Sequence, residues 1–307
     1  MTITLVVPTR NRGYTLEKVL TSYLTQDDVS EVILVDDAGE DDTAAVIERA
    51  SARHPGTPVR VITNAERMGA AYSRQAGARA ASNPYILFCD DDEYLEAGYA
   101  SRCRDLLTRT GVGAVSGRRV YMRGKETPEQ AVLRFGDGVR NRAPFDRRMM
   151  QLVNGARFRD VKSLPFTNAI ILTHRDLVLQ FGFDSYYSRG NGYREESDFQ
   201  LNLYLSGYEI LVAPDVHSIH LPMSEVRRGG QRVNPLSKFM WSVHYNEYFL
   251  DKYYEQYRSR ERLAETRWII SAFQTTFLFW WHVVRPPIFN AYMAVRSHLR
   301  PSATRPG

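Results

Sequence analysis

Over its first hundred residues the chain alternates short apolar runs with helical patterns. Four runs rich in β-branched residues are typical of strands buried on both faces of a parallel sheet: Ile3–Val7, Val32–Val35, Val59–Thr63 and Tyr85–Cys89. The spacing predicts helices between them, over Thr15–Thr25, Asp42–Arg53 and Ala70–Ala81, with Asp41 or Asp42 as the N-cap of the second. This order predicts right-handed βαβ units and an α/β fold.

Polar residues follow each apolar run, at Pro8–Arg12, Asp36–Gly39, Asn64 and Asp90–Asp92. Because ligands bind at the carboxyl ends of parallel strands, we expect these residues to meet at one edge of the sheet. A buried carboxylate cluster is costly unless a cation neutralises it. Oxygen ligands suit Mg²⁺ or Mn²⁺, which keep open positions for phosphate oxygens. The pattern therefore predicts a site for a metal ion and a phosphate-containing ligand.

The sequence pattern changes over Arg118–Lys162. This segment contains 12 Lys and Arg against 5 Asp and Glu, and it has little hydrophobic periodicity. Two interpretations stay open for this segment: a solvated connection, or a mobile basic segment that binds an acceptor. A second ordered block follows, with strands predicted over Ala169–Thr173 and Tyr208–Val212 and a helix over Glu196–Leu205.

Charge is distributed unevenly along the 307 residues, whose formal net charge is +5. Residues 1–226 carry 27 Lys and Arg against 30 Asp and Glu, a net −3, whereas residues 227–307 carry 13 against 5, a net +8. We therefore expect no nucleic-acid partner. Neither G-x-G-x-x-G after the first strand nor G-x-x-x-x-G-K-[ST] is present, which disfavours dinucleotide oxidoreductases and P-loop NTPases. Two cysteines are too few for a disulfide framework.

Four segments, in order, strongly resemble glycosyltransferase family 2: TLVVPTRNR, EVILVDDAGEDDT, NAERMGAAYSRQAGARAASNPYILFCDDD and GNGYREESDFQLNLYLSGYEILVAPDVHSIH. The resemblance covers about residues 1–220. It implies a GT-A type, Rossmann-like, mostly parallel sheet flanked by helices, with a C-terminal helical extension. The domains expected are a catalytic domain over 1–226, with a nucleotide-sugar-binding part (1–110) and an acceptor-binding part (111–226), and a helical region over 227–307.

The resemblance also implies roles for individual residues. Contacts with the nucleotide sugar are implied for Pro8, Thr9, Arg10, Asp36, Asp37, Arg67, Asp90 and Asp91, with Arg74 as a further candidate near the diphosphate. Asp92 and His220 are implied as metal ligands, with His217 as the competitor of His220.

Glu196 is the implied catalytic base, as the second member of an acidic pair. The pair reads Glu-Glu instead of the family's Glu-Asp, so Glu195 and Asp198 stay open as alternatives. On a helix, residues 196 and 200 share one face while 195 and 198 share another. Burial near other acids is expected to raise the pKa of the base.

The expected activity is inverting, metal-dependent transfer, with Mn²⁺ or Mg²⁺, from a nucleotide sugar such as a UDP-sugar. The acceptor hydroxyl would belong to a saccharide or to a lipid-linked or anionic acceptor in glycan, polysaccharide or glycoconjugate biosynthesis. The processive signature Q-x-x-R-W is absent, which favours transfer of one or a few sugars. The alternatives are a nucleotidyltransferase acting on a sugar phosphate and a non-catalytic nucleotide-sugar-binding protein.

Residues 227–307 are rich in aromatic residues and have basic flanks. The stretch Trp268–Val284 is uncharged but interrupted by polar residues, so no membrane span is predicted, and Pro286 and Pro287 are expected to end its helix. Three interpretations stay open: packing on the catalytic domain, an interface in a homo-oligomer, and peripheral membrane contact. The N-terminal apolar run precedes its charges, unlike a signal peptide, so a cytoplasmic location is expected, including the cytoplasmic face of the membrane.

Overall fold

A computed structural model describes residues 2–136, 143–153, 155–226 and 234–288. Its strands are β1 (Ile3–Thr9), β2 (Val29–Asp36), β3 (Val59–Thr63), β4 (Tyr85–Phe88), β5 (Glu93–Leu95), β6 (Val112–Tyr121), β7 (Phe145–Asp146), β8 (Gln151–Leu152), β9 (Lys162–Leu164), β10 (Ile171–His174) and β11 (Glu209–His220). Its α-helices are α1 (Gly13–Leu24), α2 (Thr43–Arg53), α3 (Ala70–Ala80), α4 (Tyr99–Leu107), α5 (Pro128–Phe135), α6 (Arg175–Phe181), α7 (Glu195–Leu205), α8 (Pro235–Glu261) and α9 (Arg267–Phe279).

A mixed central sheet organises the described residues. Its order is β3-β2-β1-β4-β10-β6-β11-β5, with β9 paired to β11. The strands β1, β2, β3, β4, β6 and β11 run in one direction, while β5, β9 and β10 run in the other. The predicted mostly parallel α/β sheet flanked by helices, with a helical C-terminal region, is confirmed.

Strand β3 differs from its prediction. Among the described residues it pairs only with β2 and forms an edge of the sheet, so its side chains are not buried on both faces; Val61, for example, is exposed. The apolar run identified the strand but not its place in the sheet. Whether a strand lies at the edge of a sheet depends on which strands pair with it, and an apolar run does not specify those strands.

Register brings the polar strand ends together. Strand β1 lies between β2 and β4, with Thr9 opposite Asp36 and Val6 opposite Phe88. Helix α3 packs closely on β1, since a Cβ added to Gly77 would lie 2.4 Å from Cγ1 of Val6. The ends of β1 and β4 are thereby fixed beside each other, close to the start of α3.

The second half of the sheet contributes to the same edge through β5 and β11. These two strands pair antiparallel, and His220 of β11 lies opposite Glu93 of β5. Glu93 directly follows the aspartate run at 90–92, so this pairing brings a histidine distant in sequence to that run.

The basic segment over 118–162 is more ordered than a plain connection. Strand β6 extends to Tyr121, and α5 begins with a capping box between Thr127 and Gln130. Strands β7 and β8 form a two-stranded sheet. Residues 137–142 and 154 lie outside the described residues. The interpretation of this segment as a mobile basic segment therefore stays a prediction.

Two long helices follow the sheet. Helix α8 packs on α7 and shares an apolar cluster with the α/β domain, in which Phe249 and Tyr253 contribute beside Phe166 and Leu201. Packing on the catalytic domain is thus observed for α8. The predicted domain boundary at 226/227 stays a prediction, because residues 227–233 lie outside the described residues.

The prediction that Pro286 and Pro287 end the helix is wrong within the described residues. A π-helical turn over Trp280–Val284 follows α9, and helical conformation continues from 285 to 288. A π turn is a usual way for a helix to absorb a local irregularity such as missing proline N–H donors. None of the described helices is long and apolar enough to cross a membrane.

Candidate functional site

A cavity of about 280 Å³ opens at the edge where the polar strand ends meet. It is lined by residues after β1, β2 and β4, by the start of α3, by the end of β11 and by the start of α7. The sequence-predicted residues in its wall are Pro8, Thr9, Arg10, Asp37, Arg67, Arg74, Asp90, Asp91, Asp92, Glu195, Glu196 and His220. Asp36 and Asp198, by contrast, are not among the lining residues.

Arginines neutralise much of the aspartate run at the end of β4. Asp90 lies between Arg74 and Arg119, with Nη2 to carboxylate distances of 2.8 and 3.3 Å. Nη1 of Arg12 donates to Asp92 at 3.0 Å. Arginine side chains therefore neutralise much of the charge of this carboxylate cluster, for which the sequence pattern predicted a metal ion.

Asp91 has a different environment from its two neighbours. Its carboxylate accepts a 2.9 Å hydrogen bond from Oγ1 of Thr9. Burial raises the pKa of Asp91 to about 7, against the lowering by Arg12. Asp91 therefore ties the end of β1 to the end of β4.

Asp92, Glu93 and His220 form a group suited to a divalent cation. One ligand atom from each lies within 4.8 Å of the others. Nδ1 of His220 donates to the carbonyl of Leu221 at 2.6 Å, which leaves Nε2 as the acceptor facing Asp92 at 3.6 Å. The buried carboxylate of Glu93 is ion-paired with Arg119 through Oε1, while its Oε2 has no hydrogen-bond partner among the described residues. Two carboxylates and an imidazole fit Mn²⁺ or Mg²⁺.

His217, the competitor of His220, lies elsewhere. Its Nδ1 contacts Glu96 at 2.7 Å, and its Nε2 accepts from Nη2 of Arg118 at 2.8 Å. These contacts use both ring nitrogens, so His217 is not part of the group around Asp92.

Asp36 and Asp37 have separate roles after β2. Asp36 accepts from the backbone N–H of Gly39 at 3.0 Å and closes a turn. Asp37 is buried and accepts from the backbone N–H groups of Met68 and Gly69 at 2.7 and 2.8 Å. Asp37 thus fixes the loop that carries Arg67 to the cavity.

The three acids at the start of α7 point to different places. Glu195 is buried against Arg74, and burial raises the pKa of Glu195 to about 8 despite that contact. Asp198 faces α8, where Nζ of Lys252 lies 2.9 Å away. Glu196 keeps 30% of its side-chain surface exposed and lies 3.3 Å from Nη2 of Arg74.

A second cavity, of about 350 Å³, adjoins the first. The two share Arg119, Asn191, Gly192 and Glu196 in their walls. Residues of the basic segment line the second cavity, among them Arg118, Pro144, Leu152, Val153, Ala156 and Phe158. Glu196 is the one carboxylate that the described lining residues of both cavities have in common.

No individual role was predicted for Arg12, Glu93 or Arg119. Arg12 is the last residue of the predicted motif PTRNR and Glu93 directly follows DDD, so their positions carried a usable signal. Arg119 lies within β6 and reaches the cavity because β6 pairs with β11. No local pattern marks it.

The fold and the cavity together define a class of protein. An α/β sheet whose strand ends gather arginines and carboxylates, with a second cavity alongside, is an arrangement for binding a phosphate-containing donor and a separate partner molecule. The sequence profile described as glycosyl transferase family 2 matches residues 4–175, more than half of the chain. The chain belongs to glycosyltransferase family 2.

Two curated relatives are similar over shorter stretches. The chain is 33% identical over 103 residues to an uncharacterized glycosyltransferase, YwdF, from Bacillus subtilis (strain 168), which covers 33% of this chain and 37% of the relative. It is 39% identical over 93 residues to an uncharacterized glycosyltransferase from Haemophilus influenzae (strain ATCC 51907 / DSM 11121 / KW20 / Rd), which covers 30% and 29%. The matched part therefore spans about a third of these relatives' length.

Solved glycosyltransferase structures share the fold at low identity. The mannosyltransferase PcManGT from Pyrobaculum calidifontis, in complex with GDP-Man and Mn²⁺, superposes with a TM-score of 0.56 at 18% identity, covering 98% of this chain and 76% of that one. S. aureus TarS (1–349) with UDP-GlcNAc gives 0.54 at 15%, covering 84% and 73%. GalNAc-T7 with UDP, GalNAc and Mn²⁺ gives 0.62 at 15%, covering 92% and 54%. The shared fold is the GT-A fold.

Proposed function

We propose that this protein transfers a sugar from a nucleotide-diphospho-sugar, with UDP as the expected nucleotide, to an acceptor hydroxyl with inversion at the anomeric carbon. Glu196 carries the proposal, because it lies in the wall common to the two cavities. A carboxylate at that junction is within reach of both a donor and an acceptor. The solved structures with GDP-Man or UDP-GlcNAc bound support the choice of donor class.

The first cavity is proposed to hold the donor. Arg10 and Arg67 line it and offer cationic groups for the phosphates, while Asp37 orders the loop beside them. Asp92, Glu93 and His220 would hold Mn²⁺ or Mg²⁺, and the ion supplies Lewis-acid stabilisation of the negative charge on the diphosphate when bound. The backbone at the aspartate run is held by the hydroxyl of Tyr23, which donates to the carbonyl of Asp90 at 2.6 Å.

Glu196 is proposed as the base that accepts the proton of the acceptor hydroxyl. Its contact with Arg74 orients the carboxylate and leaves part of its surface open to the second cavity. Glu195 is a poor candidate because its carboxylate is buried against Arg74. Attack on the side opposite the leaving diphosphate would invert the anomeric centre.

The second cavity is proposed to hold the acceptor. Arg118 and Arg119 are in its wall, and Glu196 is the one carboxylate among its described lining residues. Its balance of charge favours an anionic acceptor, such as a saccharide or lipid-linked acceptor that bears phosphate or carboxylate groups.

A screen of sugar donors, followed by substitution of Glu196, tests this function. A panel of UDP- and GDP-sugars is screened for release of the nucleoside diphosphate, and the best donor is then used with Glu196→Gln and with Glu255→Gln, an exposed matched change on α8. We expect Glu196→Gln to lower turnover by about 10²- to 10⁴-fold with UDP affinity retained, since general-base catalysis contributes that much. Unchanged turnover in Glu196→Gln would refute its role, and an inert panel would refute the donor class.

A further inference from the structure

The outer side of α9 and of the following π-helical turn exposes several large apolar side chains, most of them aromatic. We call this side the aromatic face; its residues are Trp268, Ile269, Phe273, Phe279, Trp280 and Trp281. Exposure reaches 75% for Trp268 and 57% for Phe273. Soluble proteins rarely leave so many large apolar side chains together in water, and such patches mark interaction surfaces.

The inner side of the same helix packs against the rest of the protein. Ile270, Gln274 and Leu278, spaced four residues apart, are buried. Nδ2 of Asn246 on α8 donates to Oε1 of Gln274 at 2.6 Å. The rotation of α9 about its axis is therefore fixed by buried contacts, and the aromatic face is exposed as a consequence.

The charged residues that the sequence contributes from the start of this helix onward are all basic. From Thr266 to Gly307 the sequence contains no Asp or Glu and has these arginines: Arg267, Arg285, Arg296, Arg300 and Arg305. The last three lie outside the described residues. The guanidinium of Arg285 lies over the ring of Trp281, 4.2 Å from its centroid, which places a cation at the edge of the aromatic face.

We propose that the aromatic face docks in the interfacial layer of an anionic lipid bilayer. Tryptophan prefers the depth at which its ring meets hydrocarbon and its N–H meets water, and three of the four tryptophans of the chain lie on this face. Because Arg267 is paired with Glu247 and Asp251, the described cation that is attracted to anionic headgroups is Arg285, beside Trp281. A helix with one aromatic side and one side bonded to its own protein lies parallel to such a surface.

A second copy of the chain is a weaker fit to the same face. A symmetric contact would bring two acid-free, arginine-containing segments together, and like charges at an interface oppose association. The nearby acids Glu247 and Asp251 are already paired with Arg267, at 2.9 and 2.6 Å. They are therefore not free to neutralise the arginines of a partner.

The docking surface is joined to the candidate site by buried polar contacts. Asn246, which bonds to Gln274 of α9, also accepts from Nε and Nη2 of Arg194 at 3.1 Å. Arg194 directly precedes the acidic pair that begins with Glu195. A docked α9 would thus hold the two cavities at a fixed orientation to the membrane surface.

Vesicle flotation with the full chain tests the proposal. Vesicles of phosphatidylcholine alone are compared with vesicles of phosphatidylcholine and phosphatidylglycerol in equal parts. We expect the protein to float with the anionic vesicles, to be released by high salt, and to show a blue shift of tryptophan emission on binding. Failure to float with anionic vesicles, or equal flotation with neutral ones, would overturn the proposal.

A matched pair of double variants assigns the binding to the aromatic face. Trp268→Ser with Phe273→Ser removes two of its exposed side chains, whereas Leu133→Ser with Met223→Ser removes two exposed apolar side chains elsewhere. Partitioning should fall about tenfold or more for the first pair, because buried apolar area drives interfacial binding. The second pair should bind like the parent.

Two outcomes would count against the bilayer as the occupant. Equal binding by both double variants, with circular dichroism showing both folded, would remove the aromatic face from the interaction. Concentration-dependent dimerisation that Trp268→Ser with Phe273→Ser abolishes, in a protein that does not float, would assign the face to a second copy. None of these measurements depends on catalysis, so failure here is distinguishable from failure of the proposed function.

Discussion

Glu196 and Asp198 stand two residues apart in α7, and the fold places them in unlike surroundings. Asp198 is buried and accepts from the hydroxyls of Tyr187 and Tyr253, each at 3.0 Å. Nζ of Lys252 also donates to the carboxylate of Asp198, at 2.9 Å. These contacts use the acceptor capacity of the carboxylate within the protein, whereas Glu196 keeps an open side toward both cavities.

Asp198→Asn is expected to lower the free energy of unfolding by about 2 kcal/mol, because it weakens hydrogen bonds to a charged group. UDP affinity should stay at the parent value, since Asp198 does not line either cavity. Urea denaturation and binding calorimetry measure the two effects. Parent-like stability together with lost transfer would instead make Asp198 a participant in the reaction.

The site residues that follow strands could be predicted from the sequence, whereas those positioned by strand pairing could not. Asp37 and Asp92 were predictable because each comes directly after an apolar run. Arg119 was not, because its position depends on the neighbours of β6 in the sheet. The resemblance favoured Glu196 on α7 and left Glu195 and Asp198 as alternatives, because only packing against Arg74 and α8 distinguishes their surroundings.

At the scale of elements, the loop before α7 is fitted closely to α8. Gly190 has a φ of +59°, and a Cβ added there would lie 2.3 Å from Cδ2 of Trp241. Asn191 donates to Oγ of Ser242 at 2.7 Å. The loop that lines both cavities is therefore shaped by the C-terminal helical region.

Gly190→Ala and Gly111→Ala form a matched test of this fit. Both glycines have positive φ, but nothing lies within 4 Å of a Cβ added at Gly111. Each change should cost about 1 kcal/mol of backbone strain. Overpacking against Trp241 should add roughly 1–3 kcal/mol at Gly190 alone. Equal losses of unfolding free energy in urea would contradict the close fit.

The π-helical turn predicts a pH effect. Burial, and then Lys238, lower the pKa of His282 from 6.5 to about 4. Between these values the unfolded chain binds the proton and the folded chain does not, so the free energy of unfolding falls as pH drops from 6.5 toward 4. His282→Gln should flatten that slope in denaturation measured across this range. An unchanged slope would contradict a neutral, half-buried imidazole.

Element boundaries show where the sequence was informative. The apolar runs and helical patterns of the first hundred residues located four strands and three helices near their observed bounds. The continuation through Pro286 and Pro287 was not predictable, because it depends on the π turn before them. The rule that proline ends a helix applies to regular α-helices, and the turn at Trp280–Val284 is π-helical.

Viewed as a whole, the molecule joins the C-terminal helices to the α/β domain by a common core. Tyr254, Tyr257 and Ile270 belong to the same buried cluster as Phe166 and Val212. Sequence composition separated a basic, aromatic C-terminal region from the rest, but it did not reveal this common core. Aromatic density alone does not distinguish residues that pack inward from those that face outward.

The common core predicts a single unfolding transition. All four tryptophans lie between residues 241 and 281, so tryptophan fluorescence reports on the C-terminal helices while circular dichroism reports on the whole chain. The two signals should give coincident midpoints in urea, as expected for one cooperative unit. A fluorescence midpoint at lower urea would contradict it and make the C-terminal helices an independent unit.

We propose that the strand-end cavity binds a nucleoside diphosphate together with a divalent cation held by Asp92, Glu93 and His220. Calorimetric titration of UDP, with and without Mn²⁺, into the parent protein, Asp92→Asn and the exposed control Asp105→Asn tests it most directly. We expect Mn²⁺ to tighten UDP binding in the parent and in Asp105→Asn, and Asp92→Asn to lose that gain. UDP binding that is absent, or indifferent to Mn²⁺ in all three proteins, would contradict the claim.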